Sequence, residues 1–213
     1  MHVAAIIVAA GDGERFGARK QFAEIAGRTP AELAVRAARS VAELVVLVAP
    51  ADALDDPRGA DVVVAGGPTR SASVRAGLAA LPADVDVVVV HDAARPLAST
   101  ALFAAVVGAV LADAEVAGAI PGIAVADTIK RVGDDGCVLV TVPREGLHAV
   151  QTPQAFRAGA LRRAHASDAE ATDDAALVEA IGERVVVVAG ERDNRKITTP
   201  EDLEAARALL GPS

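Results

Sequence analysis

The residues with the clearest chemical potential stand in one early stretch, Ala9-Ala10-Gly11-Asp12-Gly13-Glu14-Arg15-Phe16-Gly17-Ala18-Arg19-Lys20-Gln21. Gly11 and Gly13 let backbone N–H groups approach an anion closely. Arg15 and Lys20, with Arg19 nearby, follow closely enough to reach a bound triphosphate. The stretch is not a Walker loop, because no Gly-Lys-Ser/Thr follows, and it is not a dinucleotide fingerprint, because the third Gly comes one residue late. A strand running into a Gly loop, then Arg and Lys, suits a site that transfers a nucleotide. Taken by itself, the same stretch also reads as a tight turn with solvated charges.

A second group of segments points the same way. Gly66-Gly67-Pro68-Thr69-Arg70-Ser71-Ala72-Ser73 allows close backbone approach at Gly67 and places a hydroxyl, Ser73, where a base edge could be read. The plain alternative is a strand-to-helix turn capped by Thr69. His91-Asp92-Ala93-Ala94-Arg95-Pro96 follows four consecutive valines. An aspartate at the end of a buried strand is costly unless it binds something, so Asp92 is a candidate for an acceptor hydroxyl, a ribose or Mg²⁺. Arg95 would meet a phosphate or pair with Asp92. His91 is assigned no catalytic role. The Glu170-Ala171-Thr172-Asp173-Asp174 segment reads as a helix cap, with the Thr172 hydroxyl available to a phosphate. Positive charge is carried almost entirely by Arg, and the three lysines, Lys20, Lys130 and Lys196, all fall in segments of this kind. No His, Cys, Asp or Glu cluster has metal-ligand spacing.

These segments need elements to hold them. Short Val/Ile runs near 3–9, 44–49, 61–65, 85–91, 116–121 and 184–189 predict buried strands. Amphipathic stretches near 30–40, 70–81, 100–113, 155–166, 173–182 and 200–210 predict helices, two of them opened by Thr-Pro with an acidic residue behind. The alternation implies a doubly wound, mostly parallel α/β sheet forming one domain over 1–213. Residues 126–150 break that rhythm. Their short strands flank Gly133-Asp134-Asp135-Gly136, a hairpin signal that makes an excursion or arm.

Bulk properties narrow the classes. A net charge of -8 argues against nucleic-acid binding, and a single cysteine excludes an internal disulfide. No apolar stretch is long enough to span a membrane without a charge or Gly break, and the N-terminus reads as a first strand, so a cytoplasmic location is expected.

Taken together, in their order and spacing, Ala9-Ala10-Gly11 with Arg15 and Lys20-Gln21, Gly66-Gly67 with Arg70 and Ser73, His91 to Pro96, Asp127-Thr128 with Lys130-Arg131, Arg144, Thr152-Pro153-Gln154, Thr172-Asp173, and Asp193-Asn194 with Lys196 and Thr198 resemble the 2-C-methyl-D-erythritol 4-phosphate cytidylyltransferase family. The resemblance runs from residue 6 to about 205. It implies a Rossmann-like fold and a homodimer whose arms embrace the neighbouring subunit. CTP would lie over the Gly loop, with Ala9, Ala10, Gly11, Gly13, Gly67, Ser73 and Ala93 around it and Mg²⁺ bridging its phosphates. Arg15 and Lys20 would meet the triphosphate. Asp92, Arg95, Thr172 and Lys196 would place the acceptor, with Thr128 and Arg144 arriving from the partner's arm. Arg15, Lys20, Arg144 and Lys196 would carry the chemistry. Some positions depart from the family pattern: Arg19 replaces the usual Pro before Lys20 in a shorter loop, Pro68 stands where an acidic residue is common, and Leu147 is followed directly by His148 where a Trp is often seen. The alternatives are a ribitol-5-phosphate cytidylyltransferase and a nucleotide-binding dimer without turnover; Lys130 behind Asp127-Thr128 favours the erythritol acceptor.

Overall fold

The computed structural model describes residues 1–11 and 20–211, with the Lys20 side chain left out of the description. Its central strand is β1 (Val3–Val8), flanked in parallel by β2 (Leu44–Ala49) and β4 (Val87–Asp92). Alternation along β1 sends Val3, Ala5 and Ile7 to one face and Ala4 and Ile6 to the other. Both faces are therefore apolar, and each takes a helical layer. Helices α1 (Pro30–Ala38) and α3 (Thr100–Ala112) cover the first face. Helices α2 (Arg70–Ala79), α4 (Ala158–Ala164) and α5 (Asp174–Ala180) cover the second.

Among the described residues the sheet has eight strands. Seven run in the order β10 (Val185–Ala189), β5 (Gly118–Ala124), β9 (Gln154–Arg157), β4, β1, β2 and β3 (Val62–Ala65). The eighth, β8 (His148–Val150), pairs antiparallel with β5 beyond the end of β9. All the predicted strands are present, and the sheet is mostly parallel as the alternation implied. One helix prediction is corrected. The stretch 155–166 begins as strand: β9 inserts antiparallel between β4 and β5, with Ala155 and Phe156 fully buried, and the helix starts at Ala158. Four residues are too few for alternation to declare itself in an Ala- and Arg-rich context.

The excursion is a two-stranded antiparallel hairpin, β6 (Ile129–Val132) with β7 (Val138–Val142), outside the main sheet. Its turn places Gly136 at φ +79°, a left-handed conformation that glycine adopts without a Cβ penalty. Residues 148–150 have already rejoined the sheet as β8.

Helix α6 (Pro200–Leu210) closes the chain. Its start is fixed by a reciprocal cap between Thr199 and Asp202, and the Thr198 hydroxyl also donates to Asp202, holding that carboxyl down to about 2. Leu203 and Ala206 of α6 pack with Ile25 and Ile197, so the residue after Lys196 is an apolar anchor.

Candidate active site

The site lies where β1 and β4 end. Ala9 donates its N–H to the Val48 carbonyl, continuing the β1–β2 pairing, and its own carbonyl accepts from Gln21 Nε2 at 2.8 Å. The same Nε2 reaches the Gly11 carbonyl at 2.8 Å, so the buried Gln21 side chain stitches the loop across its base. Gly66 faces Ala10 so closely that a Cβ on Gly66 would stand 2.1 Å from the Ala10 Cβ. The two loops therefore meet at contact distance, and only glycine fits.

Asp92 ends β4. Its Oδ1 accepts from Arg70 Nε at 3.0 Å and its Oδ2 from Lys196 Nζ at 2.7 Å. Burial alone would raise this carboxyl, but the Arg70 and Lys196 charges outweigh it and hold the group far below its ordinary range. Arg70 also donates from Nη1 to Asp174 Oδ2 at 2.8 Å, and His165 Nε2 lies 3.0 Å from Asp174 Oδ1. Burial works against the Arg70 charge, but the flanking Asp92 and Asp174 more than restore it. The result is a continuous chain of contacts, Lys196–Asp92–Arg70–Asp174–His165, that runs from the exposed Lys196 into the interior.

The first three members of this chain, Lys196, Asp92 and Arg70, line a cleft of about 200 Å³ together with Arg95, Gln154 and Thr172. The loop carrying Lys196 is pinned from below. Gln151 bonds the Glu191 backbone through both amide atoms, and Asn194 Nδ2 donates to the Thr152 carbonyl at 2.9 Å. Lys196 remains 40% exposed, with its ammonium at the cleft. A lysine has three donors, and Asp92 takes one, so two are left for an anion. Arg95 does not pair with Asp92, the partner considered from sequence. Its Nη1 donates to the Asn194 carbonyl at 2.8 Å, and its buried Nε has no partner among the described residues. Burial lowers its pKa, Asp92 offsetting part of that, yet a guanidinium stays charged at any physiological pH. The Arg95 side chain lines the cleft, and its positive charge suits an incoming phosphate or carboxylate.

His91 has no part in proton transfer at the cleft. Its side chain is fully buried, Nε2 donates to the Arg95 carbonyl at 3.1 Å, and Nδ1 accepts from the Thr152 hydroxyl at 3.0 Å. Thr152 Oγ1 in turn accepts the Asp92 N–H. Burial pushes the imidazole down to about 4, so it is neutral at pH 7. Among the described residues the cleft thus offers cations, and its carboxylates, Asp92 and Asp173, are already engaged. It can bind an acceptor that is already anionic and hold it still.

A family model for 2-C-methyl-D-erythritol 4-phosphate cytidylyltransferase matches residues 3–212. The chain belongs to that family. It is 48% identical to the 2-C-methyl-D-erythritol 4-phosphate cytidylyltransferase of Frankia casuarinae, over 98% of this chain and 81% of that protein. It is similar to the crystal structure of the Thermus thermophilus protein of that name, with 38% identity, a TM-score of 0.82, and 96% and 97% of the two chains covered. A 4-diphosphocytidyl-2C-methyl-D-erythritol synthase from Anaerococcus prevotii gives 33% identity and a TM-score of 0.83 over 98% of each chain.

The structure brings part of the expected family site together. Asp92, Arg95, Thr172 and Lys196 share the cleft. Ala9, Ala10, Gly11 and Gly67 do not line it; Ala10 packs against Gly66, the neighbour of Gly67. Ser73 is buried, and its hydroxyl is engaged with the Gly67 N–H at 3.2 Å and the Thr69 carbonyl at 2.9 Å. In this arrangement it shapes the loop and does not present a free hydroxyl to a base. Ala93 is fully buried and gives its N–H to the Val8 carbonyl, tying β4 to β1. Asp173, not Thr172, caps α5, accepting from the Ala176 N–H at 3.0 Å. Gly13, Arg15 and the Lys20 side chain lie outside the described residues. Thr128 and Arg144 are exposed on the arm and do not line the cleft; Arg144 Nη1 donates to the Ala126 carbonyl at the base of the arm. Arg70, Gln21, Gln151 and Asp174 received no role from sequence. Their types are unremarkable on a helix start or a turn, and only their partners reveal the work they do.

Proposed function

We infer that the chain joins the cytidylyl group of CTP to 2-C-methyl-D-erythritol 4-phosphate, giving 4-diphosphocytidyl-2-C-methyl-D-erythritol and pyrophosphate, a step of isoprenoid precursor biosynthesis. The family carries this reading, and one observation of the molecule supports it most: Lys196 and Arg95 bring positive charge to a cleft whose carboxylates, among the described residues, are already engaged. A phosphate monoester has a second pKa of about 6 and is largely a dianion at neutral pH. Its oxygen attacks the α-phosphorus in line, the bond from that phosphorus to the β-phosphate oxygen breaks, and the electron pair leaves with pyrophosphate. No proton has to be removed. The difficulty is bringing one anion to another, so catalysis is positioning and charge stabilisation. Lys196 and Arg95 hold the acceptor with Thr172, while Asp92 keeps the Lys196 ammonium in place. Arg15 and Lys20 stabilise the triphosphate, and Ala9, Ala10 and Gly67 cradle the nucleotide.

Bound Mg²⁺ would supply charge neutralisation at the α-phosphoryl group as the acceptor attacks. Among the described residues no three His, Cys, Asp or Glu side chains converge, and both oxygens of Asp92 are already paired with cations. The working unit is a homodimer in the cytoplasm, in which Thr128 and Arg144 of one arm complete the partner's acceptor site. The exposed apolar residues of the hairpin, Val132, Val138, Leu139 and Val140, support this, because such a strand face is a liability unless covered. No described helix is long and apolar enough to cross a membrane.

Pyrophosphate release with CTP, Mg²⁺ and the erythritol phosphate tests the reading, with ribitol 5-phosphate in parallel. Release with the first acceptor and little with the second is expected. Release with ribitol phosphate alone would move the acceptor assignment, and silence with both would remove it.

A further inference from the structure

We propose that Arg70 is a positioning residue that brackets the two walls of the acceptor cleft, holding Asp92 against Lys196 on one side and the Thr172 segment on the other. This rests on the activity inferred above.

Arg70 is the first residue of α2, and its fork spans two carboxylates on separate elements: Asp92 at the end of β4, 3.0 Å from Nε, and Asp174 at the start of α5, 2.8 Å from Nη1. Asp174 is fully buried, and so is His165 behind it. A carboxylate so enclosed requires a cation, and Arg70 supplies it. Asp174 directly follows Thr172 and Asp173, both of which line the cleft. Two further bonds from α2 and its cap hold the same segment: Thr69 Oγ1 to Glu170 at 2.8 Å, and Arg75 Nη2 to Glu170 at 3.0 Å. Through Ser73, α2 also holds the Gly67 loop. One helix end thus sets both the nucleotide loop and the acceptor wall. An ammonium could not take this place, because a compact point charge on a single stem meets one carboxylate where a planar fork meets two.

The test uses the full-length chain with Arg70→Lys, Asp174→Asn and, as a bond to the loop alone, Arg75→Ala. Two readouts are taken: KM for each substrate with kcat, and hydrogen exchange over residues 166–173 in the absence of substrates. For Arg70→Lys the expected result is a KM for the erythritol phosphate raised about 10-fold or more, a KM for CTP within about 3-fold, and faster exchange over 166–173. Asp174→Asn should show the same exchange increase, so the inference is still tested if Arg70→Lys does not fold. Arg75→Ala should raise the acceptor KM less, by about 3-fold. Equal rises in both KM values, or unchanged exchange in folded Arg70→Lys or Asp174→Asn, would overturn the bracket. If wild-type chain released no pyrophosphate with the erythritol phosphate, the activity reading would fall, and the exchange data would still decide the bracket.

Discussion

The cleft and the arm treat polar and apolar groups in opposite ways. At the cleft, polar groups are paired in a continuous run from Lys196 at the surface to the buried His165, while the surrounding strands supply a Val-rich frame. On the arm, apolar side chains stand in solvent: Leu139 is 64% exposed and Val138 59%. The cleft has the order of a completed structure except at its unpartnered donors. The arm has the composition of an interior with nothing packed on it. The contrast teaches that the cleft settles its charges within one chain, whereas the arm leaves apolar side chains uncovered, which is the basis of the proposed dimer.

The sharpest way to strain that comparison is to remove a cleft cation. Lys196→Ala should cut turnover by roughly 10²–10³, as loss of one preorganised donor does in other enzymes. Folding should survive, because Arg70 still neutralises Asp92. Steady-state pyrophosphate assays with a thermal melt would show this, and near-normal kcat/KM would remove Lys196 from the chemistry.

Next comes Arg144→Ala, expected to cost about 10²-fold on the same reasoning while leaving the melt unchanged. Mixing it with Lys196→Ala chains asks where Arg144 acts. In a mixed dimer with sites shared across subunits, one site keeps both wild-type residues, so statistical exchange should restore about a quarter of wild-type turnover. No restoration would place Arg144 in its own chain's site.

A third effect is on stability. His91 falls from an ordinary 6.5 to about 4 in the folded chain. The unfolded chain therefore binds the extra proton first, and stability should drop as pH falls from about 6.5 to 4, by at most about 3 kcal/mol. The Asp92 carboxyl is depressed instead, so its contribution persists to lower pH and is lost only below its ordinary 3.8. Urea titrations at several pH values should resolve the first slope, and His91→Gln should flatten it. An unaltered slope in that variant would assign the dependence to another group.

The smallest expected effect on the fold itself is on the arm. Val138→Ser with Leu139→Ser should leave chain stability within about 0.5 kcal/mol, since both side chains are exposed. Sedimentation should nonetheless show weaker self-association. An unchanged association constant would mean that the arm's apolar face is not the contact.

Much of this was legible beforehand. The capped starts at Thr29-Pro30 and Thr199-Pro200 announce helices, the four valines before His91 announce a buried strand, and Gly133 to Gly136 announces the hairpin. The candidate residues Asp92, Arg95, Thr172 and Lys196 also meet at one cleft. By contrast, β9 was concealed as helix. Arg95 turned away from Asp92 to backbone carbonyls, and Ser73 proved to be a loop fastener.

The sequence by itself determined most of the alternation of strands and helices, the capped helix starts at Thr29-Pro30 and Thr199-Pro200, and the family, because caps, turn glycines and hydrophobic periods act over a few residues and are written locally. Only the tertiary structure decided which charge neutralises which. Arg70 and Asp174 are 104 residues apart, as are Lys196 and Asp92. Coulombic pairing in a buried cleft depends on distance through space and on exclusion of water, and neither is encoded in the identity of a residue's neighbours along the chain.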